Sequence, residues 1–312
     1  METGEPRPMR EPSGNTVMLS GGSGLIGTHL ERFFAENRIQ TIQVIRKKTV
    51  VPGEISWNPE SAEPVEDLAK LEGICAAVHL SGANVSAHRW TEAYKREIVE
   101  SRVRTTRALV NVLKHLANPP KSLLCASAIG IYGDRGDAVL TESSEPGRGF
   151  LAETCRAWEA EADRAAEGGI RVVHLRFGVV LAHGGGALAK MLPLFKTGLG
   201  GRLGSGRQWM SWIAMDDLVR AVGHIMEVES LHGPINLTAP LPVTNAEFTR
   251  ALGKALHRPA ILPAPAFALR IALGEMADEG LLASTRAVPA KLAGSGFRFD
   301  FPEIAGALKA VL

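Results

Sequence analysis

The sequence predicts an α/β fold, a doubly wound parallel sheet followed by a smaller, mostly helical C-terminal lobe. Short β-type runs alternate with longer helical stretches from residue 16 onward, the mark of βαβ units. Several runs, 75–80 among them, are continuously apolar, as strands covered on both faces must be. After residue 180 the chain becomes glycine-rich over 184–206 and is then punctuated by prolines, so the alternation gives way to short helices.

In order, strands are expected at 16–20, 40–46, 54–57, 75–80, 122–127 and 171–177, with helices at 24–37, 91–116 and 151–166. Further on, a helix is expected at 216–228, a strand at 235–237 and a helix at 245–256. Pro259, Pro263, Pro265, Pro289 and Pro302 break the remainder into short helices. Residues 1–15, rich in Pro, Gly, Arg and Glu, read as a disordered extension. A nucleotide domain is expected over 16–183, and a lobe that shares strands with it over 184–312.

A hydrophobic content of 45% and a charged content of 22% are ordinary for a soluble globular protein. The net charge of +2 gives no electrostatic reason to expect nucleic acid or an anionic membrane as partner. Cys75, Cys125 and Cys155 are too few and too isolated for a disulfide framework or zinc site, which fits a reducing compartment. No run approaches the ~18 apolar residues of a membrane span, and the N-terminus lacks the apolar core of a signal peptide. A cytoplasmic protein with a small-molecule substrate and no metal is expected.

The first motif with chemistry is Gly21-Gly22-Ser23-Gly24-Leu25-Ile26-Gly27, which closes a strand and opens a helix. Gly21 permits the tight turn, Gly24 lets a pyrophosphate approach the helix N-terminus, and Gly27 lets helix and sheet pack closely. Leu25 and Ile26 belong to the same phosphate-binding turn. A site for NAD places Asp or Glu about 20 residues on, to hold the ribose 2′-hydroxyl. Here that strand ends Arg46-Lys47-Lys48, so three cations stand where the acid is missing. An arginine can clasp a 2′-phosphate in two places, and the cofactor expected is NADP(H). Leu80, Ser81 and Gly82 end the next strand, with small residues where adenosine would lie against the backbone.

These residues, with Ser101-Arg102, Ser127–Gly133, Trp158-Glu159, Arg176–Leu181 and the run Gly198–Asp217, resemble the extended short-chain dehydrogenases. The likeness is to an atypical, epimerase-like branch (NAD-dependent epimerase/dehydratase) that carries a C-terminal domain of unknown function. It covers almost all of residues 16–312. The resemblance implies a Rossmann core, NADP binding and a C-terminal substrate lobe. It puts Arg46 at the 2′-phosphate, Leu80 and Ser81 on the adenosine half and Val180 on the nicotinamide side. Glu97 and Arg102 would project from the long helix toward the cofactor.

The usual catalytic pair of such enzymes is absent. In phase with Trp158-Glu159, the Tyr position is Leu151 and the Lys position Cys155, and the usual serine position is Ala128. Tyr132 and Ser127, at the end of their strand, are the candidate substitutes. The arginine that grips a sugar nucleotide's pyrophosphate is matched by Met210, for which Arg207 and Gln208 are candidates to compensate. Trp209, Met210 and Trp212 form either an apolar substrate pocket or a packed lid. Two functions follow: an NADP(H)-dependent, epimerase-like oxidoreductase for a small, partly apolar carbonyl or alcohol, or a non-catalytic NADP(H)-binding sensor or scaffold.

Overall fold

The apolar runs become seven parallel strands: β1 (Thr16–Ser20), β2 (Gln40–Ile45), β3 (Glu54–Ser56), β4 (Ala76–His79), β5 (Ser122–Ala128), β6 (Arg171–Phe177) and β7 (Gly233–Leu237). The computed structural model describes residues 15–61 and 64–312. The extension expected over 1–15 lies outside these residues apart from Asn15, whose carbonyl accepts from the Gln40 amide at 3.0 Å.

Across the sheet the order is β7–β6–β5–β4–β1–β2–β3. The order reverses between β1 and β4, and a crevice opens there at the carboxyl ends of the strands. Helices α1 (Leu25–Glu36), α2 (Glu92–Lys114), α3 (Phe150–Asp163), α4 (Gly186–Lys196) and α5 (Met215–Glu227) follow the strands. Val17, Leu19 and Val78 pack against Leu30 and Phe34 of α1 and Leu218 and Val222 of α5 on one face. Met18, Ala77 and Leu123 pack against Leu109 and Leu113 of α2 and Trp158 of α3 on the other. Each large apolar side chain enclosed this way contributes about 1.5–3 kcal/mol.

Residues 184–312 are not a separate body, because β7 and α5 complete the sheet domain. The rest adds α6 (Asn245–Ala255), α7 (Ala266–Leu273), α8 (Ala290–Gly294) and α9 (Ile304–Val311). Trp212, Phe248, Leu252 and Leu308 form its small core. The last segment returns to the sheet domain, Arg286–Ala287 pairing in parallel with Val139–Leu140. The buried carboxylate of Asp217 accepts the amides of Asp300 (2.8 Å) and Phe301 (2.9 Å) and so pins the chain end. No described helix is long and apolar enough to cross a membrane.

Candidate functional site

The turn between β1 and α1 is built for a ligand backbone rather than for side chains. Gly21 sits at φ +75°, and a Cβ there would come within 2.9 Å of the Leu80 backbone. A Cβ on Gly27 would lie 2.4 Å from the Gly21 carbonyl oxygen, so helix and turn meet only because position 27 is glycine. The N-cap, Gly24, offers no side chain to the first-turn amides, and no acid lies in that turn. Those amides and the helix dipole present positive charge, the fit that a pyrophosphate needs. The side chains of Leu25 and Ile26 turn away and pack on the sheet core.

An open groove of about 1240 Å³ runs from this turn across the ends of β1, β2 and β4. Arg46, Lys47 and Lys48 line one end, all exposed. Leu80, Ser81 and Gly82 form the floor on the other side of the turn, with Glu97 and Ser101 of α2 above. Arg102 does not reach the groove. Its guanidinium donates to the Ala83 and Ile98 carbonyls at 3.0 Å each and lies over the Trp158 ring. A Cβ on Gly82 would lie 3.1 Å from that guanidinium carbon, so Gly82 makes room for Arg102. Beneath the floor, the buried His79 meets Ser20 Oγ through Nδ1 at 2.5 Å. Burial, then the charge of Arg46, lowers the His79 pKa to about 3.

Farther along the sheet, Val180 is half-buried beside Leu25, both against the close turn at Gly186. The candidate donors Tyr132 and Ser127 are both buried. Tyr132 is fully buried, its hydroxyl donating to Asn236 Oδ1 (2.8 Å) and accepting from Arg176 Nη1 (2.9 Å). Burial pushes its phenol up, away from titration near neutrality. Ser127 Oγ, also buried, donates to Glu159 Oε1 at 2.6 Å, and Glu159 pairs with Arg176. Both hydroxyls belong to one buried network with Glu159, Arg176 and Asn236. Cys155, in the Lys position, is enclosed too, and burial raises its thiol to about 11. Leu151 lies in an apolar wall with Val85, Trp90, Phe150 and Met276.

In the segment 207–212, most side chains have protein partners. Trp212 is buried in the lobe core, and Gln208 spends its amide on the Leu203 and Leu281 carbonyls. The Trp209 ring is covered by Arg286 at 4.0 Å and donates to Asp137, while Met210 Sδ accepts from Asn245. Only Arg207 is exposed. Several of these residues hold the stretch 281–287 in place.

Sequence reasoning missed Glu279. Its carboxylate accepts the amides of Phe150 and Leu151 at 2.8 Å each, capping α3 from a distant part of the chain. Gly149, at φ +107°, leaves room for it. A long-range cap of this kind leaves no mark in local sequence. The buried Glu159–Arg176 pair had a trace, since both residues stand in motifs that the resemblance singles out.

Residues 17–237 match the model of the NAD dependent epimerase/dehydratase family, and residues 264–311 match a domain of unknown function (DUF1731). The chain belongs to the NAD-dependent epimerase/dehydratase family. It is 44% identical over 292 residues to "Epimerase family protein Mb2239" of Mycobacterium bovis, covering 94% of this chain and 96% of that protein. A crystal structure of human epimerase family protein SDR39U1 with NADPH superposes at a TM-score of 0.86, with 33% identity over 95% of this chain and 98% of that one. A nucleoside-diphosphate sugar epimerase from Corynebacterium glutamicum is 35% identical, with a TM-score of 0.76, over 96% of this chain and 58% of its own. This epimerase-family protein thus has an NAD(P)-binding Rossmann fold of the short-chain dehydrogenase type. Its groove and glycine turn lie at the reversal point of the strand order.

Proposed function

We propose that this epimerase-family protein is a cytoplasmic NADP(H)-binding oxidoreductase that acts on a small, partly apolar carbonyl or alcohol. The observation that carries the cofactor reading is the exposed Arg46-Lys47-Lys48 end of β2 on the groove, where an NAD site holds an acid. When bound, NADP(H) supplies or accepts hydride. Gly21, Gly24 and Gly27 hold the pyrophosphate, Arg46 and Lys47 the 2′-phosphate, and Leu80, Ser81 and Gly82 the adenosine half. Val85, Trp90, Phe150, Leu151 and Met276 exclude water beside the Tyr position and favour an apolar substrate group. With Leu151 in the Tyr position, the proton goes to or from water or the substrate's own hydroxyl.

Two titrations and a turnover assay test this reading. NADPH is expected to bind at least tenfold more tightly than NADH by fluorescence, and equal affinities overturn the cofactor assignment. Slow NADPH oxidation is expected with some member of a carbonyl panel. A second reading, a non-catalytic NADP(H) sensor or scaffold, is favoured by the closed Ser127–Glu159–Arg176–Tyr132 network. Tight NADPH binding with no turnover on any carbonyl or alcohol decides for it.

A further inference from the structure

The net charge of +2 conceals a strong segregation. No Asp or Glu lies between Glu167 and Asp216, and none between Glu247 and Glu275. The structure folds parts of these two acid-free stretches onto one another. The Ala264 amide donates to the Arg202 carbonyl at 2.9 Å, and Arg258 Nε donates to the Lys196 carbonyl at 3.0 Å. Gly201 runs so close to Leu262 that a Cβ would stand 1.8 Å from its carbonyl oxygen. One surface results, carrying the exposed cations Lys196, Arg202, Lys254 and Arg258, none paired with a carboxylate among the described residues.

The same surface is apolar. Ile261 is 77% exposed, Phe267 66% and Ile271 71%, with Leu199 and Leu262 beside them. Helix α7 buries none of its residues, and Phe267 and Ile271, four apart, share one of its faces. A monomer rarely leaves so many large apolar side chains together in water without a use for them. A second copy of the chain is a poor occupant, because a self-complementary contact sets these four cations against one another while the nearby Asp278 is already spent on Arg270.

We infer that this face of the lobe docks on an anionic phospholipid surface, with α7 lying in the interface. Phe267, Ile271, Ile261 and Leu262 enter the acyl boundary, while Lys196, Arg202, Lys254 and Arg258 meet the headgroup phosphates. This departs from the expectation drawn from net charge, which averages over the segregation. Acids border the face, Asp278 paired with Arg270 of α7 and Glu247 at the start of α6, but among the described residues neither pairs with the four cations.

Vesicle co-sedimentation of the full chain tests it, using phosphatidylcholine alone and phosphatidylcholine with about a third phosphatidylserine. Binding is expected to the anionic vesicles only, weakening as salt rises. The double variant Arg202→Gln/Arg258→Gln is expected to lower the partition coefficient about twentyfold. Phe267→Ser/Ile271→Ser is expected to abolish partition while NADPH titration and thermal midpoint stay as in wild type, which separates docking from misfolding. Equal partition into neutral and anionic vesicles, or partition into neither, overturns the inference. Self-association abolished by Phe267→Ser without vesicle binding assigns the face to a second copy and overturns it as well.

Discussion

Arg176 holds both oxygens of Glu159, Nε on Oε1 at 2.9 Å and Nη2 on Oε2 at 2.8 Å, beneath the ends of β5 and β6. Burial opposes the guanidinium charge, but the bonds to Glu159 outweigh it and hold Arg176 above its ordinary range. Removing one partner strands the other charge away from water, at a cost of about 3–5 kcal/mol. Glu159→Gln is therefore expected to lower the urea midpoint sharply. Replacing both residues with apolar ones of similar volume should do less harm than replacing either. A loss below about 1 kcal/mol for Glu159→Gln would show that the pair is not buried as described.

Tyr132→Phe removes the hydroxyl that joins Arg176 to Asn236 and keeps the ring. Two buried polar groups lose a partner, so stability should fall by about 1–3 kcal/mol. NADPH affinity, and any turnover, should stay within about twofold of the wild-type value, since the Tyr132 hydroxyl is buried between Arg176 and Asn236. A drop in kcat of about tenfold or more in the folded variant would restore Tyr132 as a proton donor.

Arg46→Ala is expected to weaken NADPH binding by about tenfold or more and to leave NADH binding nearly unchanged. The difference arises because the substitution removes a contact to the 2′-phosphate alone. Parallel fluorescence titrations of both cofactors measure it. Equal losses for the two would mean that Arg46 serves the ribose or adenine instead.

The buried His79 makes stability depend on acid. Its folded pKa of about 3 lies below the ordinary value of 6.5, so between the two the unfolded chain takes up a proton that the folded chain refuses. The stabilisation is complete above pH 6.5 and is lost as pH falls toward 3, amounting to several kcal/mol at the acid end. His79→Gln, which cannot titrate, should show a flatter decline in denaturant midpoint from neutral pH to pH 4. Parallel curves for variant and wild type would exclude His79 as the cause.

The parallel strands were legible because burial on both faces gives continuous apolar runs, as in β4, and the glycine turn because its steric demands fix residue type. Arg46 was legible too, since strand end and glycine turn are separated by one βα unit. The fates of Tyr132, Ser127, Gln208 and Trp212 were not. Each carries a side chain suited equally to a ligand or to a buried partner. The partner that decides, Asn236 for Tyr132 or Leu281 for Gln208, comes from a remote stretch of chain.

Cys155 closes the Lys position to the residue that usually fills it. The small thiol sits among Ile131, Tyr132, Leu140 and Ala287, with the Arg102 guanidinium near enough to influence its charge. A lysine at this position would lengthen the side chain by about three heavy atoms in a filled space and bring an ammonium toward a resident cation. A tyrosine placed at Leu151 would then stand beside a site unable to accept its usual partner. The space around Cys155 and Leu151 is filled by their neighbours, so installing the ordinary pair needs those neighbours to change with it, whereas the open groove can take new side chains one at a time.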